Sequence, residues 1–407
     1  MNHQKDDEDD NSSVDGATSS VDDGSGYAER EELIAKAAKH CKQAQAMRTV
    51  FNNVKLLAQQ ANESTPHAER IYCIVVDYCM NLAVPYFGSE QPGETYYYSP
   101  LNVFLLGIVD VSNNDHLHAF TYTEGEGKKG GNNVASLIYK FLQSQGWVRD
   151  DEIGGNLSIF MDNCSGQNKN RMVLRLALYL VERGFFKTVR FEFFIRGHTK
   201  NPADRKFNIL KKEYRKKNVY TMEALVKVLN ENEGVTCTKV VPADFGDWDK
   251  LLDKFYRSIP TGKTHKNHRF IVSKDAGTTK MEIQESALEE DEPTVHDMEK
   301  TRNGDYNGLS RKEALQSIIP VQLIPPGLKE IKQVELATKY RPLIPAEVTK
   351  TTDLYNMPSK DVIDRVKAHQ SDTRKRKLDL TRGFVEKESS SAPSRASFPD
   401  GADALKM

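Results

Sequence analysis

No apolar run in this chain approaches the roughly 18 residues that crossing a bilayer requires, so no membrane-spanning helix and no membrane partner are expected. Cysteine is scarce and unpaired in pattern. Cys41, Cys73, Cys79, Cys164 and Cys237 form neither a C-x-x-C pair nor a spacing typical of zinc sites. An odd count in 407 residues argues against a disulfide framework and for a reducing compartment. The N-terminus lacks a basic stretch followed by an apolar core, so a secretory signal is not expected and the protein reads as soluble and intracellular. A large net charge is missing too: the formal total is −1, which by itself names neither nucleic acid nor membrane as a partner.

That average hides segregation. Residues 1–24 carry eight acidic side chains against Lys5 alone. Residues 163–220 carry fifteen Lys/Arg against Glu182, Glu192, Asp204 and Glu213. A local excess of this size marks an anionic partner or a solvated helix face. Composition divides the chain further. Residues 1–27 have almost nothing to bury and read as a disordered acidic tail. Residues 28–66 open with helix formers free of Pro and Gly and predict one or two amphipathic helices. A dense domain follows over about 70–275, then an acidic linker (280–305), a small helical C-terminal region broken by prolines (306–370), and a disordered tail (371–407) containing Arg-Lys-Arg-Lys at 374–377.

Within the dense domain, apolar β-branched runs at 70–78 and 103–111 and an alternating run at 117–123 predict strands. The spacing then predicts a helix over 132–145, a strand at 157–162, a helix over 168–184 ended by Gly184, and a strand over 188–197. A helix over 201–218 follows, with Asn201 able to cap it and Pro202 suited to its first position. The order β-β-β-α-β-α-β-α predicts an α/β fold: a mixed five-stranded sheet with helices on both faces, plus helical N- and C-terminal extensions. In such folds the carboxyl ends of strands carry function. Asp77 and Asp162 fall at two strand ends and Asp204 in the first turn of the last helix. Three converging carboxylates suit hard, oxygen-seeking Mg²⁺ or Mn²⁺ in a two-metal site for phosphodiester chemistry. Each residue alone also fits a local role, as a turn former or as a charge favouring a helix N-terminus.

The element "DNCSGQNKNR" (162–171) followed by "FFIRGHTKNPADRKFNILKKEYR" (193–215) resembles a transposase-derived eukaryotic family of uncharacterised function. That family pairs a D-N-C-x-G-Q-N-K-N element with a G-H-T-x-x-x-x-D element. "YTEGEGKKGGNNVASLIYKFL" (122–142) and "KYRPLIPAE" (339–347) are similar to it less sharply. The order of acids and elements also resembles DDE/D transposases and retroviral-type integrases of the ribonuclease H-like fold. The resemblance implies that Asp77, Asp162 and Asp204 form a catalytic, metal-holding triad. It also implies that His198 orients a water or protonates a leaving oxygen; the competing role for His198 is to close the strand–helix turn. The third acid is Asp where Glu is commoner, and no upstream DNA-targeting domain with a Cys/His cluster is evident. That departure is expected of a domesticated or degraded copy.

The basic surface implies DNA as partner, and "RKRK" (374–377) is the candidate patch for a nuclear location. Gln167, Asn168, Lys169, Lys200, Arg205, Asn208, Lys211 and Lys212 are the candidate nucleic-acid contacts. Gln167, Asn168 and Asn170 have an alternative as helix caps. On the last helix, Asp204, Asn208 and Lys211 share one face while Phe207, Leu210 and Tyr214 share another. Oligomers are compatible with this reading, and no small-molecule cofactor is expected: "GEGKKGGNN" (125–133) lacks the Ser/Thr of a phosphate loop and "TGKT" (261–264) lacks the upstream glycine. Two other classes compete. One is a catalytically inactive DNA-binding or scaffold protein; the other is a cysteine hydrolase pairing Cys164 with His198.

Overall fold

A computed structural model of the chain describes residues 24–61, 64–88, 90–260, 262–300, 306 and 308–372. The expected acidic tail up to residue 23 and the basic run at 374–377 lie outside the described residues. In chain order the principal elements begin with α1 (Gly24–Gln60), β1 (Ile71–Tyr78), β2 (Leu82–Val84), β3 (Leu101–Asp110) and β4 (His116–Thr123). They continue with α2 (Gly131–Ser144), β5 (Gly154–Met161), α3 (Arg171–Glu182), β6 (Phe186–Phe193), α4 (Pro202–Tyr214), α5 (Met222–Asn230) and β7 (Val235–Lys239). Then come α6 (Trp248–Leu252), α7 (Lys263–Lys266), β8 (Arg269–Asp275), β9 (Thr278–Gln284), β10 (Thr294–Asp297), α8 (Arg311–Ser317) and α9 (Glu330–Glu335).

Among the described residues, ten strands join one mixed sheet in the order β10-β9-β8-β6-β5-β1-β3-β4-β7, with β2 on β3. The expected five-stranded sheet is therefore too small. The five expected strands form its middle, as β6-β5-β1-β3-β4, with β1–β3 and β3–β4 antiparallel and β1–β5 and β5–β6 parallel. β7 extends one edge in parallel with β4, and the β8–β9 hairpin with β10 extends the other. The hairpin turns at Ala276 and Gly277, both at positive φ (48° and 86°). β9 and β10 run through the stretch expected as an acidic linker, and Ser286 and Met298 are buried there. Most of its acids, Glu285 to Glu292, lie in the connection between β9 and β10, where composition alone resembles a linker.

Period-two alternation sends successive β1 residues to opposite faces. Tyr72, Ile74 and Val76 pack with α2, α3 and α6, whereas Cys73 and Val75 pack with α1, α4 and α5. The C-terminal region closes over both faces: Ala314 and Leu315 of α8 join the first core, and Leu336, Tyr340, Ile344 and Tyr355 join the second. α1 is one helix, and it is amphipathic only in its second half. Ala44, Met47, Phe51, Val54 and Ala58 are buried at helical spacing, and residues 28–39 are exposed. Phe51 sets its ring edge-on to Phe160, 4.9 Å between centroids, and to Phe194. α3 begins at Arg171, later than expected, because Asn170 is the cap: its Oδ1 accepts from the N–H groups of Met172 and Val173.

Candidate functional site

Alternation carries Asp77 onto the α1/α4 face, one step beyond the buried Val75–Val76 pair. The parallel register pairs Val76 with Met161, so Asp162 leaves β5 beside Asp77 on the neighbouring strand. α4 arrives over this end of the sheet with Asn201 as its N-cap, whose Oδ1 accepts from the N–H groups of Ala203 and Asp204 at 2.8 and 3.2 Å. In return the Asn201 N–H donates to Asp204 Oδ2 at 3.3 Å, closing a capping box. The Asn201 Nδ2 also donates to Asp77 Oδ2 at 3.4 Å. One cap residue thus links two of the three acids.

The three carboxylates share a partly buried region, and its electrostatics show in Asp77. Burial pushes its pKa up to about 7, and the like charges of Asp204 and Asp162 add to the rise. Hydrogen bonds from Asn201 and from the Tyr78 N–H oppose it. Asp162 Oδ1 accepts its neighbour Asn163's N–H at 2.7 Å. Each acid is thus engaged locally, and among the described residues no group of three or more His, Cys, Asp or Glu side chains is arranged to hold a metal ion.

Beside the acids, α1 and the start of α4 bound an open groove of about 710 Å³, lined by Arg48, Asn52, Lys55, Lys200, Asp204, Arg205 and Asn208 among others. Lys200, Arg205 and Asn208 were expected to face nucleic acid. The α1 contribution was not, because nothing local in residues 28–62 says which helix face meets a segment some 150 positions on; Arg48 donates to the carbonyls of Lys200 and His198, 152 and 150 residues away. Lys55 is paired with Asp115 at 2.8 Å. On α4, Phe207, Leu210 and Tyr214 are buried as the spacing predicts, and Lys212 is exposed. Further along the basic run, Lys216 pairs with Glu213 at 2.7 Å and Lys217 with Glu231.

His198 is exposed at the edge of this groove, with its ring 5.3 Å from that of His40. Its N–H donates to the Ile195 carbonyl, which closes the strand–helix turn. The turn after Asp162 is tighter than expected. The Cys164 carbonyl accepts from the N–H groups of Gln167, Asn168 and Lys169, and this rolls Asn168 and Lys169 inward. Both are buried, so neither lies on a phosphate-facing surface. The Lys169 ammonium donates to the His265 carbonyl at 3.0 Å and sits 5.5 Å from the centre of the Phe193 ring; burial pulls its pKa down to about 8. Gln167 remains partly exposed, and its carbonyl accepts from Asn170 Nδ2.

The stretch "GEGKKGGNN" carries no nucleotide-loop pattern and only a loose family resemblance, and neither singles out Lys129. Its ammonium lies 4.9 Å from the centre of the Tyr78 ring and 5.2 Å from that of Phe104, and donates to the Cys79 carbonyl at 3.3 Å. The loop and the Asp162 turn also meet: a β-carbon on Gly131 would fall 2.4 Å from Asn170 Oδ1. Only glycine permits that approach.

Residues 95–289 are similar to DUF7869, a domain of unknown function. That span takes in Asp162 and Asp204 and begins after Asp77. No curated protein and no solved structure matches the chain. Among the described residues, no helix is long and apolar enough to cross a membrane.

Proposed function

We propose that the chain is a transposase-derived protein with a ribonuclease H-like domain that binds DNA in the nucleus and cleaves or joins its phosphodiesters with Mg²⁺ or Mn²⁺. The observation that carries this reading is the electrostatic meeting of Asp77, Asp162 and Asp204. Two adjacent strand ends and one helix N-terminus gather the acids where burial first, and then the like charges of Asp204 and Asp162, lift Asp77 to about 7. Such a cluster costs stability and finds a use in charge chemistry. The central order β6-β5-β1-β3-β4, with its mixed directions, supports the ribonuclease H-like assignment.

By chemistry the donor set suits a hard dication, with oxygen ligands and negative charge in excess, although the described side chains are not gathered around an ion position. Asp77, Asp162 and Asp204 would hold it, and when bound it would supply an activated water or hydroxyl and charge for the leaving oxygen. The chain's own residues do the rest. Asn201 holds Asp77 and Asp204 in one frame, and Lys200 and Arg205 offer cations to the DNA backbone along the groove. Nicking of supercoiled DNA in Mn²⁺ tests the reading: the wild type is expected to nick, and Asp77→Asn and Asp162→Asn to lose at least a hundredfold, on the order expected for removing a principal charge-stabilising group. Nicking that survives both substitutions sinks it.

A second reading, DNA binding without cleavage, has its own support. All three carboxylates are spent on local hydrogen bonds, and Asp204 completes a cap. Salt-sensitive binding with no nicking by the wild type would favour it. The cysteine hydrolase draws no comparable support, since Cys164 serves the turn through its carbonyl and the His198 ring stands against His40.

A further inference from the structure

The geometry points to Lys129 as a fixed cation that binds a non-bridging oxygen of the phosphodiester presented to the acid cluster. The inference rests on the phosphodiester reading above and adds a residue and a substrate contact to it.

Four observations converge on this side chain. Its ammonium is framed by the Tyr78 and Phe104 rings, at 4.9 and 5.2 Å from their centres, the first on β1 next to Asp77 and the second on the neighbouring β3. It donates to the Cys79 carbonyl, two residues beyond Asp77. That accounts for one of its three N–H donors, and a phosphate oxygen is the natural acceptor for another. The loop bearing it is pinned from below: the Tyr78 hydroxyl donates to Tyr122 at 2.7 Å, and Tyr122 donates to the Lys128 carbonyl at 2.9 Å. Gly127 lets this loop lie flat against the core, because a β-carbon there would fall 2.8 Å from the Phe245 ring. A lysine on a flexible stem normally loses much rotamer freedom on binding; here aromatic rings and a carbonyl have already ordered it.

The electrostatics agree with the geometry. Lys129 is held below the usual lysine range by burial, while Cys79 and Asp77 pull the other way. Lys129 is thus within charge reach of Asp77. Lys211 of α4 acts on Cys79 from another element, so two cations bracket the end of β1 that carries the acid. Lys128, by contrast, lines a separate cavity of about 370 Å³ with Gly130, Gly131 and Gly166. Adjacent lysines therefore serve different sides of one loop, which makes Lys128 an internal control.

The test uses the full chain, a short DNA duplex and supercoiled plasmid, with two readouts. In the first, Lys129→Gln is expected to slow Mn²⁺-dependent nicking about tenfold or more, with the thermal midpoint near wild type and duplex affinity lowered by less than the nicking rate. Lys129→Arg should regain part of the loss, and Lys128→Gln should behave as wild type. In the second, amine acetylation mapped by mass spectrometry should show Lys129 protected several-fold by the duplex, with or without Mn²⁺. If the wild type nicks and Lys129→Gln nicks equally well, the Lys129 assignment is overturned while the acid-cluster reading stands. If the wild type never nicks, that reading fails and the protection decides: a protected Lys129 upholds the phosphate contact, and unchanged acetylation overturns it.

Discussion

Asp77 is the side chain whose chemistry is most altered by its place in the fold. Its folded-state pKa, about 7, lies well above the usual 3.8, so the folded chain keeps this proton to higher pH than the unfolded chain. The sign follows. Stability linked to Asp77 is fully present below about pH 4 and is lost as pH rises through about 7. Asp77→Asn removes that loss. In metal-free buffer the variant should be more stable than wild type above pH 7, by about 2 kcal/mol after allowing for partial exposure, with the advantage shrinking toward acid. Urea denaturation at pH 5 and pH 8.5 measures it; an equal difference at both would show that ionisation of the buried Asp77 is not the cause. Lys169 shows the opposite lesson. Sequence places it among exposed amides and cations, yet its ammonium is buried over Phe193.

At the scale of elements, α1 ties the site to the core. Its apolar stripe packs through Phe51 on Phe160 and Phe194, residues close in sequence to Asp162 and to the start of the α4 loop. Its polar side supplies Arg48, Asn52 and Lys55 to the groove. Phe51→Ala should cost about 3 kcal/mol as a buried aromatic truncation. It should also weaken duplex binding although no cation is removed, because the groove wall loses its anchor. Thermal unfolding and fluorescence anisotropy check both halves, and full affinity in a destabilised variant would separate α1 from the groove. The central elements are legible in the sequence because their causes are local. Asn170 and Asn201 announce their helices by cap chemistry, and the alternation of Phe207, Leu210 and Tyr214 with polar neighbours announces a face. The β8–β9 hairpin was less so, since its turn rests on Ala276 at positive φ rather than on an Asn-Gly or Asp-Gly pair.

For the molecule as a whole, a near-zero net charge coexists with a cationic groove, so DNA affinity should depend steeply on salt even though the totals are balanced. In anisotropy titrations over KCl, Lys200→Gln and Arg205→Gln should each lower the salt slope by about one. Lys216→Gln should change it little, because Glu213 already pairs that charge. A slope indifferent to all three would remove the groove as the binding face.

By itself the sequence determined the order of the central strands and helices, the cap that begins α4, and the positions of the acids at element ends. Each of these follows from side-chain spacing within a few residues. Only the tertiary structure decided that the sheet has ten strands, that Lys169 turns inward while Lys200 lines a groove, and that Lys129 stands over Tyr78. It alone brings Asn201 to Asp77 across 124 residues. Such meetings depend on which strands pair and which faces pack, and that is set by burial summed over the whole chain rather than by any local pattern.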